Sequence, residues 1–124
     1  MTAHLVAIQQ VYARYSLSLD GADLATLTTC FTDDCEVSVV GGPSFSGHDG
    51  IGTLVAGRTP TSPRHENLNV LLDVDGDRAT GRAYFVLRGG DGQPAAMGEY
   101  ADQLVRDGEE WRFAARQITF TWRA

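Results

Sequence analysis

The chain has 124 residues, enough for one hydrophobic core and too few for two, and its 43% hydrophobic and 21% charged content is that of a globular domain. Ten arginines and no lysine against 16 acidic residues give a net charge of −6, which argues against nucleic acid or an anionic membrane as the main partner. No apolar run reaches the roughly 18 residues needed to span a bilayer, and no signal-peptide pattern opens the chain, so the expected location is cytoplasmic.

From Thr2 to Leu19 the apolar positions Leu5, Val6, Ile8, Val11, Tyr12, Tyr15 and Leu19 recur at three- and four-residue steps, which predicts an amphipathic helix. Asp20-Gly21 ends it, glycine being the usual left-handed stop. Asp23 is placed to cap a second, shorter helix through Leu24, Leu27 and Phe31, broken by Thr32-Asp33-Asp34. Residues 35 to 40 alternate through Cys35, Val37 and Val39 as a short strand. Cys30 and Cys35 have no histidine near them at metal-ligand spacing and read as two reduced, half-buried thiols. "GGPSFSG" reads as a turn before a short helix over 48–57. Strands follow at about 65–74, 77–88, 95–106 and 110–122, with hairpin turns at Asp75-Gly76, Gly89-Gly90-Asp91-Gly92 and Asp107-Gly108. Helices first and an antiparallel meander after them predict a single α+β domain. A twisted sheet wrapped around the first helix leaves a cavity at one end, where small ligands usually bind.

The stretch "VYARYSLSLDGADLATLTTCFTDDCEV", followed in order by "SGHDGI", "RHENLNV" and "GEYADQLVRDGEEWRFAARQITF", resembles SnoaL-like proteins of the NTF2-like superfamily over nearly the whole chain. The resemblance implies a cone-shaped barrel, with N-terminal helices packed in a curved, mainly antiparallel sheet, and a homodimer built through the outer face of that sheet. That superfamily holds isomerases, dehydratases, cyclases and non-catalytic subunits, so the fold alone assigns no reaction. Scytalone dehydratase is similar at Asp20 and at His65, which match members of a histidine–aspartate set that moves protons during loss of water. Its remaining polar groups fall at Leu19, Gly89, Gly98 and Tyr100. Ketosteroid isomerase is similar at Tyr15, matching its oxyanion-hole tyrosine, and at Asp102, matching its protonated aspartic acid, whereas its base falls at Val39.

"TSPRHENLNV" starts a polar–apolar alternation that puts His65, Asn67 and Asn69 on one strand face. A carboxylate at Asp20 bonded to one ring nitrogen of His65 would make the other a general base or acid near neutral pH. The competing reading is a histidine held by structural hydrogen bonds at a strand entrance. Tyr15 and Asp102 offer a second set: a buried neutral carboxylic acid can donate to a developing oxyanion, or Asp102 can instead pair with Arg116 on the neighbouring strand. Asn67 and Tyr100 are candidates for binding a substrate oxygen, and Phe31, Phe45, Phe85 and Met97 for lining an apolar pocket. His4 and His48 read as exposed, and three scattered histidines do not make a metal site. There is no phosphate loop, nucleophile elbow or dinucleotide fingerprint, so no cofactor is expected. The expected function is a cofactor-independent lyase or isomerase on a small apolar carbonyl or hydroxyl metabolite, polyketide- or terpenoid-like. The alternative is a non-catalytic protein of the same fold that binds a hydrophobic small molecule or serves as an accessory subunit.

Overall fold

The computed structural model describes residues 2–124. Its elements run α1 (Thr2–Asp20), α2 (Leu24–Thr29), β1 (Phe31–Val39), β2 (Ser44–Ser46), α3 (Gly47–Val55), β3 (Arg64–Asp75), β4 (Arg78–Arg88), β5 (Pro94–Asp107) and β6 (Glu110–Arg123). The strands form one curved six-stranded sheet in the order β2-β1-β6-β5-β4-β3. The β1–β6 pair is parallel and the other pairs are antiparallel, so the expected α+β, mainly antiparallel architecture is the one observed. Among the described residues no helix is long and apolar enough to cross a membrane.

The stripe on α1 explains where the helix lies. Ile8, Val11, Tyr12, Tyr15 and Leu19 are all buried and face the inner side of the sheet, where they meet Phe85, Tyr100, Leu104 and Phe113. Each such side chain removed from water contributes about 1.5–3 kcal/mol before conformational entropy is counted. Ser16 and Ser18 are buried on the same helix because their hydroxyls have partners: Ser18 Oγ donates to the Arg14 carbonyl at 2.6 Å, and Ser16 Oγ accepts from Asn67 Nδ2 at 2.9 Å.

Two boundaries differ from the sequence reading. Phe31 opens β1 instead of closing α2. The Thr28 and Thr29 hydroxyls donate back to the Ala25 and Thr26 carbonyls, and Phe113 N donates to the Cys30 carbonyl at 2.7 Å, drawing the chain out of the helix into parallel pairing with β6. "GGPSFSG" is more than a turn, since Ser44–Ser46 pairs with Glu36–Ser38 of β1. Three residues are too few for alternation to reveal a strand.

The third difference lies in β3. Asn69 has φ 56° and sits in a bulge between Leu68 and Leu71, a conformation that asparagine tolerates better than most residues. The extra residue reverses the parity of the strand. His65 and Asn67 face inward before it, and Val70, Leu72 and Val74 face inward after it. Asn69 is therefore exposed, not in line with His65 and Asn67 as strict alternation predicts. Without the bulge, Asp73 and Asp75 would enter the core.

The hairpin turns follow the glycines. Gly76 and Gly108, at φ 60° and 64°, each take the first position of a two-residue loop, the backbone sign a tight antiparallel hairpin requires there. Cys30 and Cys35 are free and buried, and burial pushes the Cys30 thiol up to about 11, which keeps it unreactive.

Candidate functional site

Asp20 is the last residue of α1 and His65 the second residue of β3, so the helix end and the strand start meet beside the loop 56–63. His65 Nδ1 lies 2.7 Å from Asp20 Oδ1. A carboxylate can only accept, so Nδ1 carries the proton and Nε2 is left with its lone pair. The His65 backbone N–H also donates to both carboxylate oxygens, at 3.2 and 3.1 Å, and Arg58 Nη2 donates to Oδ1 at 3.3 Å. All three side chains are largely covered, at 12% (His65), 15% (Asp20) and 14% (Arg58) exposure. Burial disfavours the imidazolium and holds His65 below the ordinary histidine value; the Asp20 hydrogen bond and charge oppose this, while the Arg58 and Arg116 charges reinforce it. A neutral imidazole with one free nitrogen is the form that can take a proton.

The Tyr15 ring joins this pair to the inner face of the sheet. It stands edge-on to His65 at 6.2 Å, to Phe31 at 6.0 Å and to Tyr100 at 6.1 Å. Phe85 stacks on Tyr100 at 4.6 Å, and Phe45 packs at the margin of the same core. Met97 departs from expectation. It pairs with Val86 on the outer face of the sheet, half-exposed, because period-two alternation puts its neighbours Ala96 and Gly98 inward.

Asp102 is not a free carboxylic acid. Arg116 Nε and Nη2 donate to its two oxygens at 2.7 and 2.9 Å across the β5–β6 pair, and both side chains are fully buried. Tyr12, not Tyr15, donates its hydroxyl to the same carboxylate. Three donors leave Asp102 as an acceptor, so the ion-pair reading holds and the neutral-donor reading is corrected. Tyr12 and Tyr15 are one helical turn apart on the buried stripe, and spacing alone could not say which one reaches β5. Burial, then the Asp102 charge, raise the Tyr12 phenol far above its ordinary value, keeping it protonated. The Arg116 guanidinium, which burial alone would depress, is held charged by Asp102. Its carbon lies 3.6 Å from the Tyr100 ring centroid and 4.4 Å from that of Tyr15, and its Nη1 has no hydrogen-bond partner. The sequence singled out Arg116 only as a partner for Asp102; the unpaired donor emerges from the packing.

Asn67 stitches β3 to α1 by donating to the Tyr12 carbonyl at 3.0 Å and to Ser16 Oγ, while its own Oδ1 is buried without a partner. Between these elements runs a groove of about 410 Å³ lined by His65, Asn67, Tyr12, Ser16, Leu17 and Val70 among others. Among the described residues no three His, Cys, Asp or Glu side chains converge as a metal site. Arg58, in an otherwise uncharged turn, and Tyr12 were not singled out from the sequence; only the three-residue step from Tyr12 to Tyr15 hinted at the second.

Residues 2–117 match the family model described as the SnoaL-like domain. No curated protein matches the chain. Among solved structures, the Mycobacterium tuberculosis protein Rv3472, described as of unknown function, is 30% identical with a TM-score of 0.84, covering 94% of this chain and 71% of that one. A Novosphingobium aromaticivorans protein provisionally named scytalone dehydratase is 27% identical, with a TM-score of 0.83 and coverage of 100% and 91%. A hexachlorocyclohexane dehydrochlorinase from Novosphingobium barchaimii shares the fold at 20% identity and a TM-score of 0.83, covering 99% and 90%.

Proposed function

The chain belongs to the SnoaL-like domain family, and from that premise we propose that it is a cofactor-independent lyase or isomerase working through His65 and Asp20. The observation that carries this reading is the 2.7 Å contact between the two side chains at the border of an aromatic inner wall. His65 Nε2 takes a proton from carbon next to a carbonyl, or from a hydroxyl. Asp20 holds the Nδ1–H and stabilises the imidazolium that forms. In an elimination the C–H electron pair becomes the new double bond, the leaving group departs with its own pair, and the imidazolium returns the proton to it. Arg116 Nη1, buried and unpaired beside the Tyr15 and Tyr100 rings, would stabilise negative charge on oxygen only in a substrate that enters the inner face behind His65. The aromatic packing at Phe31, Phe45 and Phe85 on the inner side of the sheet supports a small, flat, apolar metabolite, polyketide- or terpenoid-like. A provisional dehydratase name on a 27% identical neighbour supports elimination over other proton chemistry.

The protein acts in the cytoplasm in this reading, where its two buried thiols stay reduced, and it works as a homodimer through the outer face of the sheet. The test is uptake of solvent deuterium into a panel of ketones and β-hydroxy ketones, followed by mass spectrometry, together with loss of water from the latter. His65→Ala is expected to lower the rate by about 10²- to 10⁴-fold with the melting temperature nearly unchanged. Unaltered exchange in that variant, or equal loss of fold and rate, would sink the acid/base role.

One observation favours a second reading, a pocket that binds a hydrophobic molecule without turnover. Position 98, where the dehydratase pattern has a serine, must be glycine: a Cβ there would overlap the Phe85 ring and the Thr119 carbonyl. A thermal shift with an aromatic ligand that persists in His65→Ala, and no exchange in either protein, is the outcome that reading expects.

A further inference from the structure

We infer that Arg58, on the loop between α3 and β3, is a positioning residue that holds the Asp20 carboxylate in place for His65. This inference rests on the acid/base reading above. One nitrogen carries the argument. Arg58 Nη2 has two hydrogens and two acceptors, the Pro63 carbonyl at 2.7 Å and Asp20 Oδ1 at 3.3 Å. Pro63 is two residues before His65 in the chain, and the His65 N–H returns to Asp20. The contacts therefore close a ring from the end of α1 through Arg58 and Pro63 to the start of β3 and back to α1.

The cost of this arrangement is visible in Arg58 itself. Its Nε is buried without a partner, so the guanidinium is not oriented to satisfy its own hydrogen bonds. A residue serving only to brace the loop would need Pro63 alone. The second contact puts a positive charge on the carboxylate oxygen that also accepts from the imidazole. Asp20 and Tyr15 face His65 from α1, Arg58 from the loop and Arg116 from β6. Of these only Asp20 favours the imidazolium, while Arg58 and Arg116 disfavour it. Arg116 already has Asp102 as its partner, so Arg58 is the cation whose position depends on a loop. With Arg58 in place, Asp20 is shared between Arg58 and His65, and His65 stays neutral and ready to accept a proton. Without the guanidinium, Asp20 belongs to His65 alone and favours its charged form.

The test is an NMR titration of the His65 imidazole in the full chain, assigned by its loss in His65→Gln, for wild type, Arg58→Met and Arg58→Lys. Arg58→Met is expected to raise the titration midpoint by about half a pH unit or more, and Arg58→Lys, which keeps the charge, to stay near wild type. A midpoint unmoved by Arg58→Met would overturn the inference, and so would an equal rise in both variants, which would point to lost loop cover instead of lost charge. The titration needs no substrate. A rise confined to Arg58→Met therefore upholds the role of Arg58 even if His65→Ala leaves deuterium uptake intact and the proposed reaction falls.

Discussion

Asp20 is a carboxylate at the end of a helix where the backbone dipole is negative, the less favourable terminus for it by a few tenths to about 1 kcal/mol. Three groups offset this: the His65 ring, the His65 backbone N–H and Arg58. A residue placed against local preference and surrounded by donors is where function is to be looked for. The same environment makes His65 a stability sensor. Its folded value lies below the ordinary imidazole value of about 6.5, so between the two the unfolded chain binds a proton that the native state refuses. Its contribution is complete above about 6.5 and is lost as pH falls through the depressed folded value. Urea midpoints taken on either side of that interval should therefore drop more steeply for wild type than for His65→Gln. Parallel pH profiles for the two proteins would contradict the burial argument. The pair was legible only through family resemblance, because His65 and Asp20 are 45 residues apart and no spacing rule joins them. Arg58 was not legible at all, since nothing in "GRTPTSPR" says which way the loop folds back.

At the scale of elements, one strand position shows how helix and sheet are fitted to each other. Gly81, Asp102 and Arg116 lie side by side across β4, β5 and β6. A Cβ at position 81 would overlap the Tyr12 hydroxyl, so the missing side chain is what lets α1 reach the ion pair. Tyr12→Phe should cost about 1.5–3 kcal/mol, the range for a hydrogen bond to a charged group. Gly81→Ala should cost a comparable amount in wild type and clearly less in the Tyr12→Phe background, where the overlapping oxygen is gone. A double-mutant cycle from denaturant unfolding reads the difference. Strictly additive costs would mean that Gly81 is needed for its own backbone and not for the tyrosine. Long elements were legible from period and turn chemistry: α1 and the four long strands begin and end within about two residues of their sequence reading. The failures were local. A three-residue strand carries no period, and the β3 bulge defeats any strict alternation. The bulge had a signal in hindsight, because His65 and Asn67 share one parity while Val70, Leu72 and Val74 share the other.

At the scale of the whole molecule, the outer face of the sheet leaves several large apolar side chains open to solvent. Cross-strand register sets three outer rows side by side. One runs Leu68, Tyr84, Glu99 and Thr119; the next Leu71, Arg82, Ala101 and Gln117; the third Glu66, Val86, Met97 and Trp122. Leu68, Leu71, Tyr84, Met97 and Trp122 are all substantially exposed there, Leu71 at 68%. A contiguous apolar patch of this kind marks an interaction surface. Its charges come in opposite signs, Arg82 on one row and Glu99 on the next, so a two-fold axis between the rows can bring each arginine against the glutamate of the other copy. In the proposed homodimer an isologous contact of this kind would lie on the face of the sheet opposite to His65 and Asp20. Sedimentation equilibrium of the intact protein is expected to give twice the 13.4 kDa chain mass. Leu71→Glu should release monomer, because in the proposed interface it would bury an unpaired carboxylate, yet it should leave the His65 titration unchanged. A monomer at all concentrations in wild type would remove the dimer. A dimer that Leu71→Glu leaves intact would move the contact to another face.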